Sequence, residues 1–327
     1  MFVESLRRKR CEALLRRGYA RVRERAFDSA LEIAAQLESQ RFSGAFEIAA
    51  LAHAGKGDLD AAVAVLRRGV EVAPDVWLNW QLLGNYLSDL GRYEDAEAAY
   101  NRALACPGCS TDSVRLNLAI LANRRDRPAV VLEFLDELHD PKVVAHAREV
   151  RISSLRALGK LAEALALAES ALEGGPLEEE MIRAEWERIA ATAARIRLAL
   201  KESPAEVRAW VHDALRRSPT SAALFRVMRE LDSRRSPATR RFEITVHGAI
   251  PLRSPKRQEV AGFYSTYTVA AGSSDQGLQL IRDVEALLEP GDPANLSIDD
   301  VKDLGPAADE PLGVMWRSGR SYYERDE

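Results

Sequence analysis

Three glycines at a fixed spacing constrain this chain more than any other feature. Gly57, Gly91 and Gly159 each precede a helical pattern in which a large apolar residue is followed three positions later by alanine. The stretches read "GDLDAAVAVLRRGVEVAP", "GRYEDAEAAYNRALACP" and "GKLAEALALAESALEGGP". The step from Gly57 to Gly91 is about 34 residues, and the step from Gly91 to Gly159 is twice that. A further unit is therefore expected between them. "TDSVRLNLAILANRRDRPAVVLEFLDELHDP" fills the gap, with Arg125 at the glycine position and Phe134 and Leu138 four apart on an apolar face. In this register the units begin near Ser43, Trp77, Thr111 and Ala145. A helical hairpin of this length cannot bury its apolar side alone, so such units bury it by stacking on their neighbours.

The second unit carries the most specific residues. Trp80, Leu83, Gly84, Tyr93, Ala96, Tyr100 and Ala103 stand at helical spacing, with Pro107 after the second helix. This pattern resembles the tetratricopeptide repeat family. The first unit offers Ala50, Leu59, Ala62, Leu66 and Pro74, with Phe46 in place of the tryptophan. The fourth offers Gly159, Leu161, Ala164, Ala168, Ala171 and Pro176, with Arg151 and Ile152 replacing the Leu-Gly pair. Small residues let paired helices approach closely, while large ones fill the space between units. Glycine ends the first helix of each pair, and proline after the second stops the next.

The pattern loosens at both ends. "GYARVRERAFDSALEIAAQLES" places Gly18, Phe27, Ala30 and Leu37 about two residues out of phase, as a capping helix pair. Downstream, a long helix is expected from about Leu177 to Glu202, then two further helices with Trp210, Leu215, Leu224, Phe225 and Leu231 buried. "SRRSPATRR" reads as a linker. Beyond it, "FEITVHGAI" and "GFYSTYTVAA" alternate as half-buried strands, and "SSDQGLQLIRDVEALLE" is an amphipathic helix with Ser274 or Asp275 as its cap. A short "NLSIDDVKDLG" segment leads to "GVMWRSGRSYYE", where Ser318-Gly319 signals a hairpin turn. The expected fold is mainly α: a superhelical α-α solenoid followed by a small C-terminal β-β-α-β-β domain. Its expected parts are capping helices over 1–42, repeats over 43–178, degenerate helical pairs over 179–232, a linker over 233–241 and an α+β domain over 242–327.

Composition narrows the function classes. The 327 residues are 46% hydrophobic and 29% charged, as in soluble globular proteins. A formal charge of -4 argues against general nucleic-acid binding. No apolar run approaches the roughly 18–20 residues that span a bilayer. Three cysteines, Cys11, Cys106 and Cys109, without a secretory h-region point to a reducing, cytoplasmic setting. The Arg- and Ala-rich composition fits a GC-rich bacterial genome.

No constellation of catalytic chemistry emerges. "CPGC" at Cys106–Cys109 has no second pair to complete a zinc site, and it falls at a helix end, where the dipole opposes a thiolate. It reads as an inter-repeat turn. The five histidines, His53, His139, His146, His212 and His247, have no metal-ligand spacing. Neither a cofactor nor a metal is expected. Trp316, Arg317, Arg320, Tyr322 and Tyr323 cluster in "MWRSGRSYYE" and form a candidate secondary binding patch, since arginine and aromatics are enriched at hot spots.

The family resemblance implies that the inner helix of each pair lines a concave groove for peptides or protein segments. Its slots fall on Glu47, Leu51 and Ala54; on Gln81, Asn85 and Ser88; on Arg115, Ala119 and Ala122; and on His146, Glu149, Ser153 and Arg156. One subtype grips a C-terminal carboxylate. Gln81 and Asn85 echo its first pair, but Leu116, His146 and Val150 depart from the rest. The leading expectation is a non-enzymatic scaffold that binds another protein, with no nucleic acid or membrane partner and no oligomeric state fixed. An immunity or antitoxin-type protein that neutralises a cognate toxin is the alternative. A third reading is an enzyme with a site around His247 and the Arg317–Arg320 segment.

Overall fold

The computed structural model describes residues 2–176, 180–232, 234–249, 260–288 and 295–324. The chain forms two compact units, Met1–Ser154 and Leu155–Glu327. It is mainly helical, with repeats followed by an antiparallel sheet region that holds one helix. The expected helix start at Leu177, the linker's Ser233 and the last three residues lie outside the described residues.

The first unit is a row of helical hairpins. Helices α1 (Phe2–Arg23) and α2 (Phe27–Ser39) precede the pairs α3 (Gly44–Gly55) with α4 (Leu59–Val72), α5 (Trp77–Asp89) with α6 (Tyr93–Leu104), and α7 (Thr111–Arg124) with α8 (Pro128–Asp136). Each helix packs on its hairpin partner and on a helix of the next pair. Why so closely is visible at Gly84: a Cβ there would lie 2.5 Å from the Tyr100 ring. Ala62 and Ala96, at the matching small positions, are fully buried. Trp80 donates its indole N–H to the Pro74 carbonyl at 2.8 Å, tying the second pair to the end of the first. Asp58 caps α4 by accepting from the Ala61 N–H.

The turn glycines act as expected of left-handed positions: φ is 86° at Gly57, 74° at Gly91 and 74° at Gly159. The third unit is a correction. Its left-handed residue is Asp126, with φ 54°, rather than Arg125. Helix α7 runs one residue longer than α5, and aspartate tolerates this conformation better than arginine. The fourth unit also starts earlier than Ala145. Asp140 caps α9 (Pro141–His146) by accepting from Lys142 N–H, and the chain continues as α10 (Arg148–Ala157) after a break at Ala147.

The second unit begins with α11 (Leu161–Leu172), α12 (Glu180–Ala199), α13 (Pro204–Arg217) and α14 (Ala222–Asp232). Ser203 and Glu206 form a reciprocal capping box that starts α13. The sheet comprises β1 (Arg240–Ala249), β2 (Val260–Ala271), β3 (Leu296–Pro306), β4 (Gly313–Arg317) and β5 (Ser321–Glu324), with α15 (Ser274–Leu288) between β2 and β3. The strand order is β3-β1-β2-β4, and β5 also pairs with β2. Phe242, Ile244, Val246, Tyr267 and Val269 point to the α15 side and are buried, as is Ile281 of α15.

Three sequence expectations for this region change. β4 and β5 are not a hairpin: both run antiparallel to β2, at Tyr267–Ala270 and Val260–Tyr264 respectively. Ser318 interrupts this edge. Its N–H donates to Thr266 O at 2.8 Å and its hydroxyl accepts from Thr266 N–H at 2.9 Å. The "NLSIDDVKDLG" segment is strand β3, paired along β1. The cap of α15 is Ser273, which accepts from Gln276 N–H, rather than Ser274 or Asp275.

Candidate functional site

The alternate helices α1, α3, α5, α7 and α9 touch one another in series, so their faces join into one wall. Glu47 of α3 stands in it, only 8% exposed. Burial alone pushes its carboxyl up to about 7. Tyr86 of α5 lies within range of that charge. Burial first, then the negative charges of Asp89 and Glu47, push its phenol up to about 12. Further along α5, Asn85 accepts from the Tyr100 hydroxyl at 2.8 Å, and burial holds that phenol above its usual range. Ser88 accepts from Arg124 Nη1 at 2.9 Å, and the same nitrogen meets Asp89 at 2.8 Å.

The other predicted positions differ in what they present. Leu51, Ala54 and Gln81 are half-buried. Arg115 pairs with Glu137 at 2.8 Å and lies 3.8 Å from Asp112. The backbone N–H groups of Asp140 and His139 hold the Asp112 carboxyl below the usual carboxylate range. Ala119 and Ala122 are buried with Val131 and Leu135, so they set helix spacing and carry no exposed side chain. His146 is exposed, its Nδ1 2.7 Å from Lys142 O. Glu149 and Ser153 are half-buried, and Arg156 is exposed within the second unit. Tyr86, Asp89 and Arg124 beside these positions were not singled out from the sequence; the i, i+4 spacing of Asn85 and Asp89 on α5 was the available signal for Asp89.

The C-terminal candidates do not share one surface. Arg317 and Arg320 both turn toward α15 and bracket the buried Glu285, Arg317 at 3.0 Å. The Tyr267 hydroxyl also donates to this carboxylate. Arg320 sits 4.0 Å over the Phe263 ring, which meets Tyr322 edge-on. Trp316 and Tyr323 belong to the opposite face. There His247 stacks at 5.2 Å on Tyr264 and lies 5.4 Å from Tyr323. Trp316 and Tyr322 are exposed. His247 and the two arginines are thus separated by the sheet and cannot act on one substrate atom. Among the described residues no three His, Cys, Asp or Glu side chains gather as a metal set.

Residues 45–76 and 79–105 match the family model described as Tetratricopeptide repeat. Residues 45–105 are tetratricopeptide repeats. Among solved structures, the chain is similar to PilF of Pseudomonas aeruginosa, with 14% identity and a TM-score of 0.53 over 68% of this chain and 99% of that one. It is also similar to a chain of the APC/C hetero-tetramer Cut9–Hcn1, with 14% identity and a TM-score of 0.52. That match spans 68% of this chain but 42% of the other, less than half its length. At such identity both show the fold alone. No characterised protein sequence matches the chain.

In the two tetratricopeptide repeats so matched, the signature residues close the structure, and of the wall positions Asn85 joins them through Tyr100. Gly84 and Tyr100 meet within the second repeat and Trp80 ties it to Pro74 of the first, whereas Gln81 on the same helix has no hydrogen-bond or ion-pair partner among the described residues. Cys106 and Cys109 follow the second repeat directly and are free thiols. Burial pushes both up, aided by Asp75 at Cys106 and by Cys106 at Cys109. The Cys106 thiol donates to Arg102 O at 3.2 Å, as a turn residue.

Proposed function

We propose that this protein is a non-enzymatic scaffold that holds another protein, a peptide segment or a folded domain, along the wall formed by α3, α5 and α7. The single observation that carries the reading is the serial contact of these helices within a tetratricopeptide-repeat stack, which makes a preformed surface. Little ordering entropy is lost when a partner meets such a surface. The wall offers Gln81, Tyr86, Asp89 and Arg124, a mixed polar set rather than a greasy stripe, with Glu47 buried in it. A polar partner segment suits it better than an apolar helix. Three free thiols accord with a reducing bacterial cytoplasm as its setting.

The test uses the full chain and its Gln81→Arg variant as bait in extract of the native host. Gln81 is half-buried on the wall and makes no internal bond among the described residues, so the variant leaves the stack intact. A protein retained by the parent and lost from the variant supports the reading. Equal retention by both, or none by either, defeats it. One tight, stoichiometric partner would mark an inhibitor of the antitoxin kind, and several weak partners an adaptor.

A further inference from the structure

A recess lies in the C-terminal unit, among α11, α12 and α13, well apart in sequence from the matched repeats. It has a volume of about 210 Å³, with Trp186 and Trp210 among its walls and Glu169, Glu173 and Asp213 around them. Trp186 is buried and donates its indole N–H to Leu172 O at 3.4 Å, which fixes the ring at the end of α11. Two helices end here. Leu172 and Glu173 are the last residue of α11 and its cap, and Arg217 ends α13, with Asp213 one turn before it. The negative ends of both helix dipoles therefore bias the recess toward positive charge.

The side chains add to that bias. Three carboxylates line the recess against one guanidinium, Arg217, and with Arg197 on Glu169 from outside the lining one negative charge is left in excess. Asp213 is met by Arg217 at 3.1 Å, and Glu169 by Arg197 from outside the lining. Glu173 has no cation among the described residues. The Trp210 ring already attracts one guanidinium, that of Arg197 at 5.4 Å. Indole is the strongest of the aromatic rings in this interaction, and its strength grows as the cation leaves water. An apolar cavity of about 150 Å³ holds a benzene molecule. The present recess has room for a guanidinium or ammonium group and a short aliphatic stem.

We infer that this recess binds an organic cation, the guanidinium or ammonium group resting on the tryptophans with Glu173 as its counter-charge. The site stands independently of the wall in the first unit. Isothermal titration of the full chain with n-butylguanidinium, n-butylurea and the tripeptide acetyl-Ala-Arg-Ala-amide tests it. Butylguanidinium is expected to bind saturably at one site, and the uncharged urea at least about tenfold more weakly. Glu173→Gln, at an exposed helix end, and Trp210→Leu are each expected to weaken the cation about tenfold. A tripeptide that binds at least as tightly identifies a basic side chain of a polypeptide as the source. One that is excluded identifies a free small cation. The inference is overturned if neither cation gives saturable heat at ~10 mM. Equal binding of urea and guanidinium, or unchanged affinity in Glu173→Gln, overturns it as well.

Discussion

Replacing Glu47 by glutamine should stabilise the first unit, and by an amount that depends on pH. The carboxyl is raised from 4.5 to about 7 by burial alone. At about 1.4 kcal/mol for each tenfold change in proton affinity, that rise amounts to about 3 kcal/mol. The sign follows from which state holds the proton. The folded protein binds it more tightly than the unfolded chain, so nothing is lost below pH 4.5. Stability then falls as pH rises through 7, where the buried group must ionise. Glutamine keeps the shape and removes the titration. Glu47→Gln should therefore gain about 3 kcal/mol over the parent at pH 8.5 but only about 1 kcal/mol at pH 5. Urea unfolding at the two pH values, followed by tryptophan emission, measures the difference. The same gain at both values, or a loss at pH 8.5, would refute the assignment of this carboxyl to a buried site.

Other perturbations probe packing and charge. Gly84→Ala places a Cβ 2.5 Å from the Tyr100 ring and should destabilise the first unit by about 1–3 kcal/mol; a neutral result in thermal melts would mean that α5 and α6 are not so close. Glu285→Ala strands the buried Arg317 and should destabilise the C-terminal unit by about 3–5 kcal/mol in urea titrations. A change under about 1 kcal/mol would place that carboxylate in water. Because burial raises the Cys106 and Cys109 thiols, their thiolate fraction at pH 7 is below that of an unstructured cysteine. Disulfide-exchange reagents should modify both more slowly than a cysteine peptide, and faster modification contradicts this.

What the sequence disclosed, and what it withheld, divides along a physical line. The repeats were legible because stacking demands small residues at fixed positions, and Gly84 against Tyr100 satisfies that demand locally. Turn glycines were legible for the same reason, until α7 lengthened by one residue and moved the turn to Asp126. Strand β3 was not, because it is an exposed edge. Asp299, Asp300, Lys302 and Asp303 erase the alternation of a half-buried strand while guarding the edge against pairing with other chains. Ser318-Gly319 imitates a hairpin turn, yet β2 is long enough to pair with both β4 and β5. The wall's chemistry was hidden for another reason: the perturbed Glu47 carboxyl is a product of burial, and the Asn85–Tyr100 bond joins two helices. Nothing in residue type reports either. Likewise Arg317 and Arg320 look like surface residues until Glu285, carried by α15 on the same side of the sheet, meets both.

Site-specific photo-crosslinking tests the central claim most directly. A benzophenone amino acid is placed at Gln81 on α5 or, in a second protein, at the exposed Ala98 on α6, and each full chain is irradiated in extract of its native host. A discrete crosslinked protein from position 81, absent from position 98, is the predicted result. Crosslinks from position 98 alone, or equal patterns from both, would contradict binding along the α3–α5–α7 wall.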